Sequence, residues 1–241
     1  MDRINIVNIP FVKTTLDDMA KTLVLHAQRQ EKAFVVTANP EIVMKADQDP
    51  KYKEAVLTAD YITADGIGIV KGAQLLGENL PERVAGFDLF MRLLATANEM
   101  EQSVYFLGAS DDVLQKTLAV VETEFPNIRI AGSHHGFFDW EDSQIPDEIK
   151  REKPDYVFVA LGLPRQEQWI ASHIDQFDHG VFMGIGGSFD VLAGEVKRAP
   201  AFWQKLNLEW FYRLAMQPSR VKRMGALPQF GLRVLRERMK R

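Results

Sequence analysis

An α/β fold, a Rossmann-like mostly parallel sheet with helices on both faces followed by a helical basic appendage, is predicted by three features of the sequence. Short β-branched and aromatic runs alternate with segments of helical periodicity, and each run ends abruptly in turn-forming residues. The composition then changes after Ala193-Gly194, beyond which the segments are helical, aromatic and basic. Alternation of this kind argues for parallel strands joined by crossover helices, the arrangement in which ligands collect at the carboxyl ends of the strands.

Taken in order, Ile4 to Ile9 predicts a first strand, and Thr15 with Asp17 and Asp18 opens a helix whose apolar side carries Leu16, Met19, Leu23 and Val24. Phe34 to Val70 is the stretch around which the chain is organised. A strand over Ala33 to Thr37 ends in Asn39-Pro40, helical pieces come next over Glu41 to Ala46 and Lys51 to Ala59 with Pro50 between them, and the strand Tyr61 to Ala64 ends in Asp65-Gly66. Ile67 to Leu76 is helical, Gly77 to Gly86 is a polar loop holding Arg83, and Phe87 to Met100 is a helix burying Leu89, Leu93 and Leu94. Ser103 to Leu107, Ile128 to Ala131, Tyr156 to Leu161 and Val181 to Ile185 are further strands. The helices between them run over Asp111 to Phe125, Ile145 to Arg151 and Arg165 to Ile174.

The domain division predicted from composition is 1–195 for the α/β part and 196–241 for the appendage. The appendage holds 12 Lys or Arg against 2 Asp or Glu, whereas the first 195 residues hold 17 against 31, so a net charge of -4 conceals a strongly cationic end suited to an anionic partner. Phe202, Leu206, Trp210 and Leu214 recur at four-residue steps and predict one helix with an apolar ridge; Pro218 and Pro228 divide the residues beyond it. Leu227, Phe230, Val234 and Leu235 form a second stripe among arginines.

The absence of cysteine excludes disulfides and cysteine-ligated zinc and fits a reducing compartment. The N-terminal residues lack a signal-peptide pattern, and no apolar run approaches the roughly 18 residues of a membrane-spanning helix. No nucleic-acid motif is recognised, so a nucleic-acid partner is not expected, and the sequence leaves a homo-oligomer open.

Candidate chemistry concentrates at the predicted strand ends. Asp65 can accept a proton from a substrate hydroxyl, or it can cap the helix beginning at Gly66; spacing leaves both readings open. Thr37 and Asn39 stand beside it as ligand contacts or as turn residues. Asp47-Gln-Asp49 has the spacing of a metal site on a nucleotide diphosphate, but it comes after a helical segment rather than a strand, so a solvated loop is expected. His134, His135 and Asp139 lack helical ligand spacing, and a structural or solvent-facing role is expected for them. Gly186 and Gly187 lie in a glycine turn after a strand, where backbone N–H groups can meet phosphate. Leu161-Gly-Leu-Pro-Arg-Gln-Glu167 crowds Arg165, Gln166 and Glu167 at a helix start.

Six motifs occur in a set order: Thr37-Ala-Asn-Pro-Glu41, Ala64-Asp-Gly-Ile-Gly68, Arg83-Val-Ala-Gly-Phe-Asp-Leu89, Leu161-Gly-Leu-Pro-Arg-Gln-Glu167, Gly184-Ile-Gly-Gly-Ser-Phe-Asp190 with Arg198-Ala-Pro200, and Leu208-Glu-Trp-Phe-Tyr-Arg-Leu214. By these the chain resembles the WecG/TagA/CpsF glycosyltransferases over nearly its whole length, and most of all their TagA branch. The resemblance implies a Rossmann-like fold and inverting, metal-independent and cofactor-free transfer of N-acetylmannosamine. The sugar passes from its UDP donor to the 4-hydroxyl of N-acetylglucosamine on undecaprenyl diphosphate, in wall teichoic acid synthesis. A related transferase with another UDP-sugar, such as N-acetylmannosaminuronic acid or glucose, is the nearest alternative. The resemblance also implies Asp65 as the base, Thr37, Asn39, Arg83 and Gln166 around the substrates, Gly186 and Gly187 near donor phosphate or sugar, and Arg213, Arg220 and Arg223 toward the acceptor diphosphate. A lipid-linked acceptor further implies docking on the anionic inner face of the plasma membrane, where each basic residue contributes about 1 kcal/mol.

Overall fold

The computed structural model describes residues 1–206, 208–216 and 225–240, without the side chains of Ala201, Lys205 and Arg213. A hairpin comes first: β1 (Arg3–Ile6) pairs antiparallel with β2 (Ile9–Val12) in a two-stranded sheet of its own. The single strand expected over Ile4 to Ile9 is therefore two. Val7 and Asn8 both take positive φ, 52° and 59°, as a two-residue hairpin turn requires, although no glycine marks the spot. The Val7 N–H donates to Glu237 Oε2 at 2.8 Å, joining this turn to the far end of the chain.

After α1 (Leu16–Gln28) come β3 (Lys32–Ala38), α2 (Pro40–Gln48), α3 (Pro50–Leu57), β4 (Tyr61–Ala64), α4 (Ile67–Leu75) and α5 (Gly86–Glu99). Both Pro40 and Pro50 begin helices: Asn39 and Asp49 supply the caps, accepting from the Ile42 and Tyr52 N–H groups, and proline fits the first helical position because no N–H is needed there. The chain continues through β5 (Ser103–Gly108), α6 (Asp111–Glu124), β6 (Arg129–His134), α7 (Gln144–Glu152), β7 (Tyr156–Ala160), α8 (Arg165–His173), β8 (Gly180–Gly184) and α9 (Ser188–Leu192). The last described helices are α10 (Ala201–Lys205), α11 (Glu209–Met216) and α12 (Ala226–Arg238).

The main sheet has six parallel strands in the order β4-β3-β8-β7-β5-β6. Successive side chains of its inner strands serve opposite cores, as a two-residue period dictates. Phe34, Val36, Tyr105, Leu107, Val157, Val159 and Phe182 belong to one cluster, with residues of α2, α3, α4, α7, α8 and the hairpin. Ala33, Val35, Val104, Phe106, Phe158, Val181 and Met183 belong to the other, with α1, α5, α6 and α9. The expected α/β sheet covered on both faces is thus present.

Two expectations about the basic tail are corrected. The ridge Phe202, Leu206, Trp210 and Leu214 does not lie on one helix: α10 closes at Leu206, the Leu208 N–H returns to the Trp203 carbonyl at 2.8 Å, and Trp203 stacks on Phe211 between the two short helices. Pro228 divides nothing, since it sits in the first turn of α12, where its missing N–H costs no intrahelical bond. The other proline, Pro218, lies outside the described residues.

α12 packs against α2 and α4, and its Phe230 and Val234 are buried in the same cluster as Ile69 and Ala73. Glycine on α4 permits the approach: a Cβ built on Gly72 would stand 2.9 Å from the Phe230 ring. On the same side of the sheet, Glu167 of α8 is fully buried, with Tyr52 donating its hydroxyl to Oε2 at 3.0 Å and Gln166 donating Nε2 to Oε1 at 2.7 Å. Burial pushes the Glu167 carboxyl up to about 7, against the hydrogen bonds from Gln166, its own backbone and Tyr52. The same burial raises the Tyr52 phenol far above its ordinary range.

Two outcomes are expected. Phe230→Ala should lower unfolding free energy by about 3–5 kcal/mol in urea titration; a loss below about 1 kcal/mol would mean that α12 is not part of the cooperative core. For Glu167, both states hold the proton below 4.5, and between 4.5 and about 7 the folded state alone retains it. Stability therefore falls as pH rises through that window and levels off above it, a loss on the order of 3 kcal/mol. Glu167→Gln should remove this component, so the stability difference between variant and wild type should widen in the variant's favour from pH 5 to pH 8; parallel curves would contradict a buried neutral carboxyl.

Candidate active site

A cavity of about 360 Å³ opens at the carboxyl ends of β3, β4 and β8, the edge at which the sequence expects chemistry. Thr37, Asn39, Asp65, Arg83 and Gly187 line it together. Thr37 is the penultimate residue of β3 and nearly buried. Asn39 caps α2, its Oδ1 accepting from the Ile42 N–H at 3.0 Å, so it fills the turn role while its side chain borders the cavity.

Asp65 comes directly after β4, and its N–H donates to the Ala38 carbonyl at 2.9 Å, which extends the β3–β4 pairing by one bond and fixes the residue at the sheet edge. The N-cap of α4 is Gly66, with φ of 98°, rather than Asp65. Gly66 thus turns the chain from strand into helix without a side chain, in a conformation that glycine adopts at little cost. The first residue of α5 closes over this corner: a Cβ on Gly86 would lie 2.7 Å from Thr37 Oγ1 and 3.5 Å from Asp65 Oδ2. Only a residue without a side chain lets α5 start here.

Arg83 enters from the loop before α5, with its guanidinium 3.5 Å from Glu209 of α11 and 3.9 Å from Asp88. Arg198 reaches the same Asp88 with a short charge-assisted bond and lies over the Phe87 ring at 4.8 Å, while its buried Nε has no partner among the described residues. Two guanidinium groups held by two carboxylates thus border the cavity that Asp65 also lines. Such an arrangement fixes planar donors in place and can share them with an incoming anion.

Gln166 and Gly186 stand behind this cavity rather than in its lining. Gln166 is buried, and its Oε1 accepts the Gly186 N–H at 3.0 Å. Of the three arginines expected at the acceptor diphosphate, Arg213 belongs to α11, and Arg220 and Arg223 lie outside the described residues.

The alternative metal-ligand sets are engaged elsewhere. Asp47 is not in a loop: it sits in the last turn of α2 and accepts from Arg233 Nε at 3.0 Å, and Asp49 caps α3 and pairs with Lys45 at 3.0 Å. His134 ends β6 and contacts its neighbour His135, and Asp139 accepts from the Glu141 N–H in a turn. No group of three or more His, Asp or Glu side chains among the described residues converges as a metal site.

Sequence reasoning missed the contributions of Arg198, Glu209 and Leu227 to the cavity, and left open whether Trp210 meets lipid or packs over the site. Arg198 and Glu209 had a signal, since they fall within the motifs around Arg198-Ala-Pro200 and Leu208-Glu-Trp210. Leu227 had none beyond its place in an apolar stripe.

The family model of the glycosyl transferase WecG/TagA/CpsF family matches residues 4–241. The chain is 39% identical over 240 residues to the N-acetylglucosaminyldiphosphoundecaprenol N-acetyl-beta-D-mannosaminyltransferase of Staphylococcus aureus (strain MW2), covering 99% of this chain and 94% of that protein. It is 41% identical over 231 residues to the protein of the same name from Bacillus subtilis (strain 168), covering 95% and 90% of the two chains. The Bacillus spizizenii protein of that name is 41% identical over 229 residues, with 95% and 89% covered. With motifs, sheet edge and cavity in agreement along nearly its whole length, this chain belongs to the glycosyl transferase WecG/TagA/CpsF family.

Proposed function

We propose that this chain is an inverting transferase that moves N-acetylmannosamine from UDP-N-acetylmannosamine to the 4-hydroxyl of N-acetylglucosamine on undecaprenyl diphosphate. The product is the linkage-unit disaccharide of wall teichoic acid. The observation that carries the reading is Asp65 facing the same cavity as Thr37, Asn39 and Arg83, in a chain similar throughout to proteins named for this transfer.

In a single displacement, Asp65 takes the proton of the acceptor hydroxyl as its oxygen attacks the anomeric carbon. The bond from that carbon to the donor's phosphate oxygen breaks, and its electron pair leaves on UDP. A carboxylate within hydrogen-bond reach of the attacking hydroxyl contributes about 10²- to 10⁴-fold as a general base. Arg83, held at the cavity by Glu209 and Asp88, offsets the charge gathering on the departing diphosphate. Thr37 and Asn39 orient the sugars beside Asp65, and the turn at Gly186 and Gly187, braced by Gln166, borders the donor.

Residues 1–195 carry the chemistry in this reading, and 196–241 carry docking on the inner face of the plasma membrane, with Arg213, Arg220 and Arg223 directed to the acceptor diphosphate. No described helix is long and apolar enough to cross a membrane. Phe202 and Met216 are 66% and 61% exposed, and Trp210 borders the cavity while remaining 40% exposed, so apolar groups lead from the cavity to the surface. Such side chains insert at a lipid interface, and nearby cations add attraction to anionic headgroups.

Asp65→Asn should lower turnover by about 10²-fold or more while leaving UDP binding intact; near wild-type turnover would remove Asp65 as the base. The same assay with a panel of UDP-sugars on a lipid-diphosphate N-acetylglucosamine acceptor tests the donor, and absence of turnover with UDP-N-acetylmannosamine would overturn the assignment. In sedimentation with vesicles containing anionic lipid, Phe202→Ser combined with Met216→Ser should weaken binding by about tenfold. Unchanged binding would overturn docking through this surface.

A further inference from the structure

Ile185, Gly187 and Ser188 form one wall of the cavity, yet the groups that hold their backbone lie behind it. Gly186 takes φ of 53° and donates its N–H to Gln166 Oε1 at 3.0 Å. A primary amide has an accepting and a donating end, and turning it over exchanges them. In this side chain the donating end is committed, because Nε2 donates to Glu167 Oε1 at 2.7 Å. Glu167 is held in turn by the Tyr52 hydroxyl on its other oxygen at 3.0 Å. Glu167 is fully buried and Gln166 is 5% exposed, so neither can exchange these partners for water. Space is equally restricted: a Cβ on Gly184 would stand 2.7 Å from Gln166 Nε2.

We infer that Glu167 is a positioning residue for the transfer reaction: by fixing which end of the Gln166 amide meets Gly186, it sets the Ile185 to Ser188 turn against the bound UDP-sugar. Glu167 touches no part of the cavity and acts through Gln166. The inference rests on the proposed function only in naming the donor as what the turn faces. Oε1 accepts equally as part of a carboxylate, a carboxylic acid or an amide, so Glu167→Gln preserves the device. Glu167→Met keeps the length and volume but removes the acceptor. The buried Gln166 Nε2 is then unsatisfied, and an overturned amide would set donor against donor at Gly186.

The test combines steady-state kinetics with amide hydrogen exchange at Gly186 in the full chain. Glu167→Met should raise KM for UDP-N-acetylmannosamine about tenfold or more with a smaller change in kcat, and Gly186 should exchange about tenfold faster. Glu167→Gln should stay within about twofold of wild type in both readouts. Tyr52→Phe leaves the Gln166 contact in place, so it should lose stability yet keep KM and Gly186 exchange within about twofold. Glu167→Leu replaces Glu167→Met if the latter does not fold. A folded Met or Leu variant with wild-type KM and Gly186 protection would overturn the inference, as would Tyr52→Phe reproducing their shifts. If the wild type does not turn over this donor, the proposed function fails while Gly186 exchange still decides the positioning role.

Discussion

On the inner strands of the main sheet, successive apolar side chains are committed to one or the other of two cores. Along β3, Phe34 and Val36 face the cluster under α2, α4 and α8, and Ala33 and Val35 face the cluster under α1 and α5. Nothing polar can stand on either face without losing its water, so functional groups are confined to the strand ends. Thr37 shows the limit of the rule: it is the last polar residue before β3 leaves the sheet, still nearly buried, and it needs a bare Gly86 above it. The cavity is thus a consequence of covering the sheet on both sides. Helix starts converge at the carboxyl edge because each parallel strand runs out of the sheet there into the segment that follows it.

The fold was legible where local pattern decides structure. Short β-branched and aromatic runs marked strands at Tyr61 to Ala64 and Ser103 to Leu107, and helical pieces were expected from Glu41 and Lys51, each one residue after the proline at which its helix begins, but the capping roles of Asn39 and Asp49 were not expected. It was illegible where a local signal was missing or was overruled. The hairpin turn at Val7-Asn8 uses positive φ without glycine, and its N–H finds an acceptor on Glu237, a contact no window of sequence contains. The aromatic ridge has perfect helical spacing, yet Trp203 stacking on Phe211 and Glu209 reaching Arg83 favour two short helices over one.

The candidate site divides in the same way. Asp65, Thr37 and Asn39 were found because strand ends can be read from sequence, and Arg83 came from the family motif. Glu209 and Trp210 reach the cavity from far along the chain, and only tertiary structure brings them there. Gln166 and Glu167 were visible as a crowded motif, but the burial of both was not, since Gln and Glu usually occupy surfaces. A carboxyl with a pKa pushed up to about 7 and no place in the cavity is therefore a feature that folding creates and sequence conceals.

The charge of the tail changes meaning once its partners are known. Composition presents 12 Lys or Arg against 2 Asp or Glu after residue 195, as though all faced an anionic partner. Arg198 is committed to Asp88 beside the cavity, and Arg233 to Asp47 on α2, so part of this excess holds the tail to the acidic domain. Glu209, one of the tail's few acids, points the other way and holds Arg83 of the domain. Residues that remain exposed on α12 and just beyond it, Arg236, Arg238 and Lys240, alternate with exposed Leu232, Leu235 and Met239. That face combines cations with apolar groups as an interfacial helix does, while the opposite face, Phe230 and Val234, is core. In the proposed function, docking and domain packing therefore draw on different residues of one helix, so neutralising Arg236, Arg238 or Lys240 acts on the proposed docking and leaves the core contacts of Phe230 and Val234 in place.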